Sequence, residues 1–296
     1  MIFISSSCVR NEYIWESVEC LAKEGFKNIE LSGGTKRDER AINKLLELKE
    51  KYNLKYRCHN YFPPPANDFV MNLASDSNEI YDNTLNVINE SLDLSVILSS
   101  NKYGFHAGFL TDISKSEIGK VVKGRELFDK DEALLRFKNR VEAIQENNKS
   151  DVKLYIENNV VSQNNYANFG NRNCFLMTSY FDVMQLKKEL NFNLLLDVAH
   201  LFVSANTLGK DFSEEFFALN ALSDYLHISD NNGLSDENKR LSTGSEIYRA
   251  LSLADLSNKT FTLEINDDLE GLAESYSFLE GFVSKDNSMK KTSSLK

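Results

Sequence analysis

The chain has 296 residues, 42% of them hydrophobic and 11% aromatic, enough for a large buried core in one or two domains. Net charge is −10; the last 13 residues hold four Lys and one Asp (+3), so the rest carries −13, and a nucleic-acid surface, which needs a basic stripe, could only be local. No apolar run nears the ~20 residues that span a bilayer, which sets a membrane role aside.

Residues 2–7 open as an apolar run that ends in serines. They read as a first strand and not as a signal peptide, since no charged n-region or long h-region is present. Residues 12–23 have helical spacing at Ile14, Val18 and Leu21, and Gly25 stops them. Residues 28–31 form a second strand, 37–52 a helix and 55–59 a third strand. A long loop follows, holding Pro63, Pro64 and Pro65. The pattern then repeats: helix 79–94, strand 103–106, helix 131–147, strand 153–159, an Asn-rich loop and helix 175–190. Three leucines at Leu194, Leu195 and Leu196 mark a sixth strand buried on both faces. A helix over 213–222, a strand over 225–230, a helix over 245–253, a strand over 260–266 and a helix over 269–283 complete the series. Eight strand–helix units with no linker fit a single (β/α)8 TIM barrel over residues 1–283. The lysine-rich residues 284–296 are expected to be a disordered tail. An open doubly wound sheet fits less well, because Ser5-Ser6-Ser7-Cys8 is no glycine-rich phosphate turn. Cys8, Cys20, Cys58 and Cys174 match no zinc or redox spacing and read as reduced thiols of a cytoplasmic protein.

The strands share an ending. Leu194-Leu195-Leu196 runs into Asp197, with His200 three residues on. Residues 154–159 finish in Glu157, 225–230 carry His227 and Asp230, and 261–266 carry Glu264. In a parallel barrel these ends converge on one mouth. The converging set is Glu30, His59, His106, Glu157, Asp197, His200, His227, Asp230 and Glu264, and it includes all four histidines of the chain. Carboxylates and imidazoles together suit a divalent ion, Zn, Mn, Co or Fe, with Mg less natural beside imidazole. Glu157, Asp197, His227 and Glu264 come from four consecutive strands and can surround one ion. Singly, each has a plainer explanation: Glu30 can pair with Arg57, Asp230 can cap the Asn231-Asn232-Gly233 turn, and Cys58 should point away from His59 into packing.

In this order the motifs resemble the xylose isomerase-like TIM barrels, over nearly the whole chain. They are I-E-L at 29–31, H-N-Y-F at 59–62, N-L-A-S at 72–75, H-A-G at 106–108, I-E-N at 156–158, D-x-x-H at 197–200, H-I-S-D at 227–230 and L-E-I at 263–265. The resemblance implies a metal-dependent enzyme acting on a small carbohydrate. In the ketose-epimerase branch the residues matching Glu157, Asp197, His227 and Glu264 bind one divalent ion (Mn, Zn, Co or Mg), and the two glutamates move protons. An ion holding a carbonyl and the neighbouring hydroxyl acidifies the C–H between them, and epimerisation or isomerisation depends on where the proton returns. His200 would bind substrate oxygens. Arg240 or Lys239 would replace an arginine that some epimerases place shortly after the seventh-strand histidine. In the endonuclease IV branch, His59, His106 and Glu157 resemble the ligands of a second ion. A third ion needs His200 and an Asp-x-His, but residues 236–238 read Asp-Glu-Asn. That departure and the acidic body disfavour DNA as a partner. A barrel that binds a sugar or a protein without catalysis is the third alternative, and a homo-oligomer is compatible with all three.

Overall fold

The structure, a computed structural model, describes residues 1–293. Eight strands run parallel and close in chain order: β1 (Ile2–Ser5), β2 (Asn28–Leu31), β3 (Lys55–His59), β4 (Lys102–His106), β5 (Lys153–Glu157), β6 (Asn193–Asp197), β7 (Ser223–Ile228) and β8 (Thr260–Leu263). β8 pairs back onto β1, with Ile2, Phe3 and Ile4 opposite Phe261, Thr262 and Leu263. The helices among the described residues are α1 (Ile14–Lys23), α2 (Ala41–Tyr52), α3 (Asn78–Ile97), α4 (Lys130–Asn147), α5 (Gln163–Asn168), α6 (Tyr180–Lys187), α7 (Val198–Thr207), α8 (Phe212–Asn220), α9 (Glu246–Leu253) and α10 (Leu269–Ser293). The architecture is a (β/α)8 TIM barrel.

The period-two alternation of a strand divides each sequence between two destinations. Leu194 and Leu196 join the large apolar cluster between strands and helices. Leu195 between them joins Tyr155 and Tyr225 in a separate small cluster, all three essentially inaccessible. Arg57 lies 4.2 Å from the centre of the Phe3 ring and 4.1 Å from that of Tyr225. Lys102 donates to Asp224 and Thr260 and sits 4.5 Å over the Tyr155 ring. These residues precede the polar strand ends along their strands, so the interior is plugged beneath the strand-end cluster.

Several local expectations change. Residues 198–207, for which the sequence predicts no element, form α7, because Asp197 caps it by accepting from His200 N at 2.7 Å. The Asn-rich loop contains α5, capped by Ser162. The helix expected over 175–190 is confined to Tyr180–Lys187, since Phe175 bridges to Phe109 and Met177 has φ 57°. α10 extends to Ser293, past the expected end at Val283; no glycine or proline follows Gly281 to stop it. Of the tail expected to be disordered, residues 294–296 lie outside the described residues.

Candidate metal centre

Strands β2 to β7 each contribute a residue at or next to their C-terminal end, and Glu264 follows β8 directly. Register brings His106 opposite Glu157 and Asp197 opposite His227. Gly104 makes room for His59: a Cβ there would stand 2.9 Å from Leu195 Cδ2 and 3.1 Å from His59 Cδ2. The ends of β5 and β6 are locked together by Asn158, whose amide donates to Asp197 O at 3.0 Å and accepts from Asp197 N at 2.7 Å.

Three ligand-type groupings result, each with donor atoms within 4.8 Å of one another: Glu157, Asp197 and His227; Glu30, His59, His227 and Glu264; and His59, His106 and Glu157. The four ligands expected from consecutive strands therefore fall into two sets that share His227. Its Nδ1 lies 3.5 Å from Glu157 Oε1 and 3.5 Å from Glu264 Oε2. Its Nε2 lies on the other side, 2.9 Å from Glu30 Oε1 and 3.3 Å from the Tyr225 hydroxyl. His59 Nε2 is hydrogen-bonded to Glu157 Oε2 at 2.7 Å, and His106 Nδ1 is 3.5 Å from the same oxygen.

His200 donates through Nδ1 to Asn158 O at 3.0 Å and turns Nε2 towards Asp236 Oδ2 at 3.4 Å. Asp236 arrives because the loop after β7 folds back, with Asp230 and Lys239 exchanging backbone hydrogen bonds. Asn238 in that loop has φ 50°, which favours asparagine, and its amide oxygen accepts from Ser229 Oγ at 2.9 Å. Arg240 is not brought to the cluster. Its guanidinium is held by Asp267 at 2.6 Å and faces Asp268 and Glu274. Lys239 pairs with Glu237. Asp230 caps its turn, accepting from Asn231 N and Ser242 N.

The electrostatics follow from burial among alternating charges. Burial alone raises carboxyl pKa values and lowers those of imidazoles. Burial raises Asp197 to about 7, with Glu157 and Asp236 adding to it against the pull of His200. Glu157 is held well below its ordinary value, because His106, His227 and His59 outweigh burial. Glu264 is lowered to about 2; there burial is overcome by His227 and His59. Burial lowers His106 to about 4. His227 and His200 are raised well above the usual range: burial opposes this, but Glu30, Glu264 and Glu157 surround the first, and Asp197 and Asp236 the second.

A divalent ion fits this donor set. Glu157 Oε1 and His227 Nδ1 face each other, fully buried, and neither has a hydrogen-bond partner. Leaving a carboxylate oxygen and a ring nitrogen so placed costs free energy that a shared cation would offset. Asp197 serves two functions at once, with Oδ1 on the α7 N-terminus and Oδ2 left to face the cluster.

The pairing of Glu30 with Arg57 that the sequence suggests does not form. The structure instead buries Glu30 beside His227, and Arg57 is engaged by aromatic rings. The available signal is that I-E-L ends like the other strands. Asp236 stands out in the sequence only as part of an incomplete nuclease pattern.

Known structures share the fold. A D-tagatose 3-epimerase-like protein is 17% identical, with a TM-score of 0.71, covering 97% of this chain and 98% of that one. L-ribulose 3-epimerase is 15% identical with a TM-score of 0.65, covering 99% and 97%. Endonuclease IV from Thermus thermophilus is 14% identical with a TM-score of 0.60, covering 96% and 99%. No curated protein matches the chain by sequence. The family model described as the xylose isomerase-like TIM barrel matches residues 18–281, and the chain belongs to that family.

Proposed function

We propose that the protein is a divalent-metal-dependent isomerase or epimerase of a small sugar or related polyhydroxy ketone. The observation that carries this reading is the pair of carboxylates, buried Glu157 and partly exposed Glu264, that both lie 3.5 Å from His227 Nδ1. Glu157, Asp197, His227 and Glu264 would hold the ion. When bound, such an ion acts as a Lewis acid on a carbonyl oxygen and its neighbouring hydroxyl. The remaining work belongs to the side chains. One glutamate takes the proton from the carbon next to the carbonyl, and the other returns it to the opposite face or the adjacent carbon. His200, oriented by Asn158 O, would bind substrate oxygens through Nε2, the nitrogen that faces Asp236 here. Lys239 and Arg240 are committed to carboxylates of the rim, which favours a neutral sugar over a phosphorylated one. The four cysteines are unpaired, which supports a reducing compartment such as the cytoplasm. Among the described residues no helix is long and apolar enough to cross a membrane.

The test is chromatographic. Metal-loaded wild-type protein is incubated with a panel of ketopentoses and ketohexoses, and new epimers or aldoses are sought. Glu157→Gln and Glu264→Gln should each lose at least about 100-fold, the usual size of a proton-transfer contribution. Full activity in either variant sinks the assignment.

A second reading has one observation in its favour: His59, His106 and Glu157 form a further ligand-type group, as a metal-dependent phosphodiesterase of the endonuclease IV kind would need. Against it, the Asn238 side chain is tied to Ser229. Metal-dependent cleavage of an abasic-site duplex decides between the two.

A further inference from the structure

We infer that Glu30 is a positioning residue, a buried carboxylate that fixes the ring of His227 so that Nδ1 is presented to the metal. The inference rests on the ion-binding reading of the cluster. Glu30 and His227 are both fully inaccessible. Glu30 reaches the inner face by register, opposite Ser5 on β1 and Arg57 on β3. Oε2 accepts from Thr262 Oγ1 at 2.9 Å, which pins the carboxylate to β8. Oε1 has no aligned hydrogen bond, and its nearest donor is His227 Nε2 at 2.9 Å. The Tyr225 hydroxyl is the other neighbour of that nitrogen, at 3.3 Å.

Two nitrogens of one imidazole point away from each other and cannot serve a single ion. Nδ1 faces Glu157 and Glu264, so the group on Nε2 is behind the ring with respect to that face. A carboxylate 2.9 Å from Nε2 favours the tautomer protonated there, which leaves Nδ1 free and makes it a better donor. His59 Nδ1 is 3.9 Å from the same Oε1, so Glu30 also borders the second histidine of the group. Arg57, the cation the sequence offers as partner, forms no ion pair with it among the described residues and lies against Phe3 and Tyr225. A neutral side chain could fill the space. A charge at this buried position is explained if it acts through His227.

Cobalt(II) titration followed by visible absorption tests this without any substrate. Wild type, Glu30→Gln and Glu30→Leu are compared, and the unfolding midpoint of each metal-free protein is measured alongside. Gln keeps an acceptor oxygen in nearly the same shape, so its Co(II) affinity should fall less than about tenfold. Leu keeps none, and its affinity should fall about 10–100-fold, the usual effect of removing a partner behind a histidine ligand. At saturation the band positions and intensities of all three should coincide. A changed spectrum in saturated Glu30→Gln makes Glu30 a direct ligand and overturns the proposal. Equal affinities in all three, with only the unfolding midpoint lowered, reduce Glu30 to a packing role and overturn it too. If wild type binds no Co(II), the metal reading itself fails and takes the proposal with it.

Discussion

Gly104 shows how one residue can decide a site without taking part in its chemistry. The His59 ring and Leu195 occupy the space where a Cβ would stand. Gly104→Ala should destabilise the fold by about 1–3 kcal/mol, the usual cost of overpacking a core. It should also displace His59 from Glu157. Urea unfolding measures the first effect, and weaker binding of a divalent ion to the refolded variant reports the second. Most of the site was legible in the sequence at this scale, because a carboxylate or histidine at the end of an apolar run has few places to go. Glu30 was the exception. A strand-end glutamate beside a neighbouring-strand arginine looks like an ion pair, and only the packing shows that Phe3 and Tyr225 claim the guanidinium. Arg240 has surroundings that spacing does not show: Asp267, Asp268 and Glu274 converge on it.

Among the elements, β6 and α7 are joined through Asp197, whose backbone ends the strand and whose side chain starts the helix. Asparagine caps helices as well as aspartate does. Asp197→Asn should therefore change the stability of the metal-free protein by less than about 1 kcal/mol, while divalent-ion binding weakens at least tenfold. Calorimetric titration against thermal unfolding separates the two. A large loss of stability with intact metal binding would show that the cap is the residue's whole role. α7 itself escaped sequence reading because its residues Val198, Ala199, Leu201, Phe202 and Val203 are buried nearly all round. A helix without a polar face carries no 3.6-residue stripe to recognise. The family motifs also divide at this scale. I-E-N and D-x-x-H supply the site, whereas the asparagine of N-L-A-S joins two loops, accepting from Phe109 N at 2.9 Å and donating to Phe109 O at 3.1 Å.

For the whole molecule, the closed barrel gives a polar mouth and a plugged floor, and the floor has its own pH dependence. Burial pushes Lys102 down to about 8, with Asp224 opposing and Arg57 assisting. The unfolded lysine titrates near 10.4. Between those values the unfolded chain binds the extra proton, so this group makes stability rise with pH. Below about pH 8 lysine is charged in both states, and the folded protein carries the penalty in full. Lys102→Met should remove that slope. Wild type should gain on the variant from pH 7.5 to 10, by at most about 3 kcal/mol at 1.4 kcal/mol per unit. Denaturant unfolding of both proteins at several pH values checks it, and parallel curves would refute it. The architecture was readable from eight repeated units because a parallel barrel needs each strand buried on both faces and each crossover helical. Loop geometry was not, since it depends on side chains meeting across the mouth.

Solvent deuterium exchange tests most directly whether a metal-loaded mouth moves a proton on a sugar carbon. The protein is loaded with Mn, Co or Zn, incubated in D2O with each ketose of a panel, and followed by proton NMR at the carbon next to the carbonyl. Loss of that signal is expected for at least one neutral ketose, dependent on the ion and abolished in Glu157→Gln and Glu264→Gln. No exchange with any ketose while the ion is bound, or exchange that persists in both variants, would contradict it.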